Sequence, residues 1–374
     1  MDSFPLAQVV AFRLSRHHLV HRAPLKSLIE VVGDVCGVQA QLMSAAELAL
    51  WARVEGLTRE DVARALWSER SLVKAWCMRG ASHLLVTADL PIYVGGLLRH
   101  GLKRQREWIA KYGVSEYEMD AMVGAVVKSL GDEVLTRKEL AKRVVARLGP
   151  NVKRWVEHSW GGIVKQACLQ GLVVFGPNIG REITFVRRDK WLPQVKDLPV
   201  KEAEAMLLRR YLHGYGPAGL ADFAAWAGMT LSDAIPIQER VSREIVEVKI
   251  AGQTGLVLRK DLEILRKTAV YENDGISVRL LPSFDCYMLG HQSKSLIVDQ
   301  IYYKRVYRKA GWLSPVVLVN GRAEGVWSFK KKGKQLQITI EPFYEISKNV
   351  RTRVEEEASS LARFYNTTSQ VVFT

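Results

Sequence analysis

Residues 136–188 read TRKELAKRVVARLGPNVKRWVEHSWGGIVKQACLQGLVVFGPNIGREITFVRR. Thr136 precedes a helical pattern with Glu139 three residues later, a T-x-x-E capping box, and Gly149-Pro150 ends that helix. The stretch VKRWVEHSWGGIVKQACLQG follows, as one longer helix or as two meeting near Gly161-Gly162. Its apolar residues Val164, Ala167, Cys168 and Leu172 fall at helical spacing. Two β-rich runs about a Gly-Pro-Asn-Ile-Gly turn then predict a hairpin. Helices followed by a hairpin wing are the order of a winged helix-turn-helix. Lys153, Arg154 and Lys165 on the helices and Arg181, Arg187 and Arg188 on the wing suit contact with a phosphate backbone.

The same order appears on both sides. Downstream, KEAEAMLLRRYLHGYG is a helix and Gly216-Pro217 breaks it. LADFAAWAG and LSDAIPIQERV are short helices, and EIVEVKI and TGLVLRK are strands. Upstream, helices are expected at about 24–36, 43–55 and 58–68, before the β-like SLVKAWCMRGASHLLV. From residue 276 the segments ISVRLLP, SLIVDQIYY, SPVVLVN, EGVWSFKKK and QLQITIEPF read as short strands, with NGR at 320–322 as a hairpin turn. VRTRVEEEASSLARFYN reads as a closing helix. The expectation is an α+β chain: winged-helix units over 1–130, 131–198 and 199–275, and a β-rich region over 276–374.

Lys and Arg number 54 against 39 acidic residues, a net charge of +15, in a chain of 374 residues. The excess favours a polyanionic partner, because each phosphate contact releases counterions. It is spread along the chain, as on a folded basic surface. Cys36, Cys77, Cys168 and Cys286 form no CxxC pair, so neither a metal site nor a disulfide framework is expected. The histidines, including His17-His18, His83, His158, His213 and His291, lack paired ligand spacing. No P-loop, GxSxG or dinucleotide fingerprint occurs, and no cofactor is expected. There is no apolar run of about 18 residues, and the N-terminus lacks a signal-peptide core, so a cytoplasmic protein without a membrane partner is expected.

Gln39-Ala40-Gln41 is the most unusual local feature. Gly37 reads as the C′ glycine of the preceding helix and Met43 opens the next, which leaves QAQ in a short extended link. At a spacing of two in extended chain, both amides point to one side and can grip a water or a base edge. Alternatively they satisfy backbone groups where two helices meet. Asp34 and Glu47 flank the motif and could supply a carboxylate; solvated helix faces are the alternative. Trp51, Trp67, Trp76 and Trp155 read as core. Gly290-His291-Gln292-Ser293-Lys294 has the small, polar and basic content of a hairpin tip reaching a DNA groove, or of a plain surface turn. Arg99, Lys103, Arg104 and Arg106 form a phosphate track or a solvated face.

Six blocks in one order resemble the AlkZ and AlkX (YcaQ-like) winged-helix DNA glycosylases: QAQ at 39–41 followed by ALWAR, LVKAWCMRGASH at 72–83, GREITFVRRDKWLP, YGPAGLADFAAWAG, LLPSFDCYMLGH at 280–291, and GRAEGVW at 321–327. The resemblance implies tandem winged helices in a C shape about a basic channel, with a Gln-x-Gln motif on its floor. It implies a monofunctional glycosylase that releases alkylated bases, chiefly N7-alkylpurines, from duplex DNA; some members also unhook interstrand crosslinks. Gln at 41 places the chain on the AlkZ side, since AlkX carries Gln-x-Asp. Gln39 and Gln41 become the catalytic candidates. His291 and Lys294, with Arg79 of the second block and Arg154, Lys165, Arg181 and Arg187, become the DNA-binding candidates on a monomer. Two departures stand out: the family's MRGTxH is MRGASH here, and its GHRDR-like turn is GHQSK, with Gln292 in place of a basic residue. The competing reading is a non-catalytic winged-helix regulator or accessory protein.

Overall fold

In a computed structural model, residues 1–158, 160–269 and 275–374 are described, and Lys332 by its backbone alone. They divide into two units, Met1–Val62 with Leu208–Trp226 and Thr230–Thr374, and Ala63–Leu207 with Ala227–Met229. In the first, strand β1 (Ser3–Phe4) leads into helix α1 (Leu6–Arg16), followed by α2 (Leu28–Asp34), β2 (Val38–Gln39) and α3 (Met43–Trp51). Helix α2 ends in a Schellman turn, with Cys36 N bonded to Gly33 O at 3.0 Å and Gly37 N to Val32 O at 2.8 Å. Cys36 therefore takes the left-handed C′ position expected of Gly37, with φ 58°; Gly37, at φ 83°, comes next.

The second unit holds the stretch that predicted the fold. Strands β3 (Leu72–Trp76) and β4 (Ser82–Val86) pair antiparallel across the turn Met78–Gly80. Helices α4 (Leu90–Ala110) and α5 (Glu116–Leu130) follow, the latter opened by an unanticipated capping box of Ser115 and Glu118. After β5 (Leu135–Thr136), the box read from the sequence is present: Glu139 N donates to Thr136 Oγ1 and Thr136 N to Glu139 Oε2, starting α6 (Arg137–Leu148). The ambiguous stretch is two helices, α7 (Lys153–Glu157) and α8 (Gly162–Leu169). They are separate because Gly161 and Gly162 have φ of 107° and 44°. A Cβ on Gly162 would stand 2.0 Å from Trp155 O. Strands β6 (Val173–Ile179) and β7 (Glu182–Arg187) form the hairpin, with β5 as third strand on β7. The Gly-Pro-Asn-Ile run lies within β6, so the turn sits later, at Gly180-Arg181. Leu172, expected on the buried helical face, lies beyond α8 and is exposed. Leu140, Val144, Val156, Ile163, Val164, Ala167 and Phe185 form the core, with Trp76 on Phe175 at 4.5 Å between centroids.

Helix α9 (Val200–Tyr215) carries the chain back to the first unit and ends at a cis Gly216–Pro217 bond. Then come α10 (Leu220–Ala227), α11 (Leu231–Arg240) and the hairpin β8 (Ile245–Ile250) and β9 (Gln253–Leu258), to which β1 adds in parallel on β8. The expected junction near 275 borders residues 270–274, which lie outside the described residues. The β-rich region contains β10 (Val278–Leu281), α12 (Cys286–Leu289), β11 (Val316–Val319), β12 (Arg322–Lys332), β13 (Gln335–Pro342), α13 (Lys348–Phe364) and β14 (Thr368–Phe373). The sheet order is β10-β11-β12-β13-β14. Asn320 and Gly321, with φ of 46° and 82°, form the expected two-residue hairpin turn. SLIVDQIYY is not a strand: Ile297 and Val298 are buried in a turn, and Gln300–Tyr302 is one turn of 3-10 helix. Strand β14 was not anticipated. No helix among the described residues is long and apolar enough to cross a membrane.

Arg53, at the end of α3, and Asp285, before α12, are both fully buried. Their two hydrogen bonds, Nη1 to Oδ2 and Nη2 to Oδ1, are each 2.8 Å. Nη1 also donates to Ala49 O, and Asp285 Oδ1 accepts Tyr287 N to cap α12. Removing one partner strands the other charge in the interior. Arg53→Met is expected to cost about 3–5 kcal/mol in urea unfolding, and Arg53→Met with Asp285→Leu to cost less than the single change.

Candidate active site and DNA interface

Gln39 closes β2 and is buried, at 9% exposure, whereas Gln41 lies beyond the strand in the bend before α3 and is exposed. The turn that delivers them is held by the last turn of α9. Tyr215 Oη donates to Val35 O at 3.0 Å and Cys36 Sγ to Arg210 O at 3.1 Å. Asp34 Oδ2 is 2.8 Å from His18 Nε2, and Asp34 Oδ1 is 3.2 Å from His213 Nε2. On its other side His213 Nδ1 lies 3.7 Å from Asp261 Oδ2, an ion-pair distance beyond hydrogen-bond reach. Asp261 Oδ1 accepts Arg16 Nη2 at 2.6 Å. Asp34, proposed as a flanking carboxylate, is thus committed to two imidazoles. Glu47, the other, is buried and accepts Arg59 Nε at 2.8 Å; burial raises its carboxyl above the ordinary value, against the pull of Arg59.

The Gly290–Lys294 segment follows helix α12, not a strand, so it is no hairpin tip. His291 Nε2 donates to Tyr215 O at 3.0 Å, and burial, then Arg13, pushes the imidazole well below its usual value, so it is neutral. Lys294 Nζ donates to Met288 O at 3.1 Å and to His291 O, folding back on its own turn. Gln292 and Ser293 are exposed.

In the other unit three cations gather. Arg79 holds the left-handed conformation, φ 54°, in the β3–β4 turn. A Cβ on neighbouring Gly80 would stand 2.8 Å from Lys165 Nζ, and one on Gly228 would stand 3.0 Å from Arg104 Nη2 and 3.3 Å from Arg79 Cα. Burial first, and Arg104 second, lower the Lys165 ammonium. The structure thus joins Arg79 to Lys165 and adds Arg104 from the α4 cluster. Arg106 of that cluster is instead paired with Asp120 at 2.5 Å. Arg154 and Arg181 are exposed, Arg181 at the tip of the β6–β7 hairpin. Arg187 is held by Asp189 through two hydrogen bonds of 3.0 and 2.6 Å. In the MRGASH block Ser82 and His83 are buried; burial, then Arg79, pushes the His83 imidazole down to about 3. Among the described residues no group of three or more His, Cys, Asp or Glu side chains could hold a metal ion.

The AlkZ-like DNA glycosylase profile matches residues 32–364. A curated relative from Streptomyces sahachiroi, named an interstrand DNA cross-link repair glycosylase, is 32% identical over 363 residues, 95% of each chain. The chain belongs to the AlkZ-like family of DNA glycosylases. The solved structure of the Streptomyces sahachiroi DNA glycosylase AlkZ matches it with a TM-score of 0.85 at 30% identity, covering 99% of this chain and 100% of that one. This glycosylase therefore acts on DNA, and the block-by-block resemblance identified the family correctly.

Tyr215, Tyr211, Arg53 and Asp285 were not singled out from the sequence, and His18 and His213 were considered only as metal ligands. The single legible signal was a pair of aromatic residues one helical turn apart, at 211 and 215, before a Gly-Pro break.

The carboxylate–imidazole cluster predicts a pH dependence of stability. Burial alone would raise the Asp34 carboxyl, but hydrogen bonds from His18 and His213 outweigh it and hold the group well below the ordinary range. Its contribution is present above the ordinary carboxylate value and lost as pH falls through the depressed one. Asp261 and Asp34 raise the His213 imidazole against burial. Its contribution is present below the ordinary histidine value and lost as pH rises through the raised one. Asp34→Asn is expected to cost about 1.5–3 kcal/mol at mildly acidic pH and to flatten both limbs. Urea unfolding from about pH 2 to about pH 9 measures this.

Proposed function

We propose that this glycosylase hydrolyses the N-glycosidic bond of N7-alkylpurine nucleotides in duplex DNA as a monofunctional, monomeric enzyme, with Gln39 and Gln41 as its catalytic pair. The observation that carries the reading is the pair itself: two amides at the exit of one clamped turn, one buried and one exposed, while both flanking carboxylates are committed elsewhere. An N7-alkylated purine is already cationic, so the base leaves with the bonding electrons as a neutral molecule and needs no general acid. Water then bonds to C1′ of an oxocarbenium-like sugar and loses a proton. Amide dipoles can place that water and stabilise the cation, more strongly where burial lowers the local dielectric. The engagement of Asp34 and Glu47 by other side chains fits such a leaving group.

Arg79 and Lys165, with Arg154 and Arg181, are read as phosphate contacts of the first two of three winged-helix units. Arg187, paired with Asp189, adds less charge. His291 shapes its turn, and Lys294 contributes to the local field. Interstrand crosslinks, the substrate named for the Streptomyces relative, are proposed as a second substrate, with Gln292 removing one cation from the turn that meets them. The purely regulatory reading has no support from the family.

Incubation with duplex DNA bearing N7-methylguanine is expected to release the free base. Gln39→Ala and Gln41→Ala are each expected to slow single-turnover release by about 100-fold, with DNA affinity within about threefold of wild type. Failure of the wild-type protein to release base from any cationic adduct or crosslink would sink the reading. Lys165→Ala is expected to weaken DNA binding about equally on all sequences and to reduce the salt slope by about 1, measured by fluorescence anisotropy across a salt series.

A further inference from the structure

The residue joining the two segments on which the proposed function rests is one that it does not use. Tyr215 is buried at the end of α9. Its hydroxyl holds Val35 O on one side. Its backbone carbonyl receives His291 on the other, and a Cβ on Gly290 would stand 2.1 Å from its ring. One turn earlier, Tyr211 Oη donates to Gly290 O at 2.9 Å. The tyrosine ring is itself fixed: Tyr211 stacks on it at 5.1 Å, and the buried His17 meets it edge-on at 4.8 Å. A Cβ on Gly214 would stand 2.5 Å from Asp34 O, so α9 and the end of α2 touch backbone to backbone.

The turn held in this way is strained. A residue with a Cβ costs about 1–2 kcal/mol in the left-handed region, and Cys36 occupies it only three residues before Gln39. Such a conformation persists where its surroundings over-determine it, and strain of this kind gathers at functional sites. The surroundings here are the Tyr215 hydroxyl on Val35, the Arg210 carbonyl on the Cys36 thiol, and the two imidazoles on Asp34.

We propose that Tyr215 is a positioning residue for base excision, its hydroxyl locking the strained Val35–Gly37 turn so that Gln39 is presented in one conformation. The inference rests on the catalytic reading of Gln39. It differs from a packing role in one respect: packing belongs to the ring, and positioning belongs to the hydroxyl.

Tyr215→Phe keeps the ring and removes the hydroxyl. Its single-turnover release of N7-methylguanine is expected to fall about 10- to 50-fold, since small misplacements of a reacting group cost up to about 100-fold. Affinity for undamaged duplex is expected to stay within about twofold, and the thermal midpoint within about 4 °C. In a Gln39→Ala background Tyr215→Phe is expected to add less than about a twofold loss, because the two act through one group. Cys36→Ala, which removes the second lock without touching the aromatic cluster, is expected to give a smaller loss that Gln39→Ala likewise masks; it carries the test if Tyr215→Phe does not fold. Should Gln39→Ala itself release base at the wild-type rate, the catalytic reading fails and this proposal with it. Should Gln39→Ala be impaired while Tyr215→Phe is not, or should the two losses multiply, the positioning role alone is overturned.

Discussion

The buried pair of Arg53 and Asp285 is the constraint on which the arrangement of the first unit depends. Two charges taken wholly out of water cost several kcal/mol each unless every hydrogen-bonding position is met. Here both carboxylate oxygens meet the guanidinium, Nη1 also reaches Ala49 O and Oδ1 accepts Tyr287 N, which leaves Arg53 Nε buried without a hydrogen-bond partner among the described residues. The pair therefore admits one register between the end of α3 and the start of α12. Those helices flank the two segments of interest: α3 begins just after Gln41, and α12 leads directly into Gly290. Charge pairing at one end and the end of α9 at the other leave each segment little freedom.

The same logic explains where the acids are. A glycosylase acting on neutral bases has use for a free carboxylate, as a general acid or base. In this chain Asp34 is bound to two imidazoles and Glu47 to a guanidinium. Their charges hold the framework, and the uncharged amides of Gln39 and Gln41 are left as the polar groups of the motif. That division suits a substrate that carries its own positive charge. The basic side is organised differently: Arg79 and Lys165 lie beside Gly80, on a turn whose left-handed backbone brings a helix lysine close.

Much of the second unit was legible because its signals are local. The Thr136–Glu139 box, the glycine stops and the β-rich hairpin each depend on a few neighbouring residues, and each appears. So does the turn at Asn320-Gly321. The failures are where local pattern and tertiary context disagree. SLIVDQIYY has the composition of a strand, but it lies as a turn and short helices outside the five-stranded sheet. For Gly290–Lys294 composition left a hairpin tip and a plain surface turn open, and the four-residue helix before it rules out the tip. At the candidate site, spacing singled out Gln39 and Gln41 but also allowed backbone satisfaction, and only the resemblance made them catalytic candidates. Tyr215 left only the aromatic pair it forms with Tyr211 as a signal, and neither it nor Asp285 could be matched to a partner: Val35 and Arg53 are far away in sequence, and nothing in their neighbourhoods names them.

Cys36 shows why such residues escape a reading by rule. The rule for a Schellman turn puts glycine at C′, and a glycine is present, but one residue late. With cysteine in that position the turn carries strain that glycine would not, and it gains a thiol donor that glycine lacks. A relaxed turn would hold its shape weakly, since glycine leaves neighbouring conformations within easy reach. A strained turn holds only while every outside contact is made. The geometry ahead of Gln39 is thus conditional on α9 being in place, and α9 is in turn bonded to the Gly290 segment through Tyr211 and Tyr215. A disturbance at either end reaches the other through two tyrosines, with no change required in the strand that bears the glutamine.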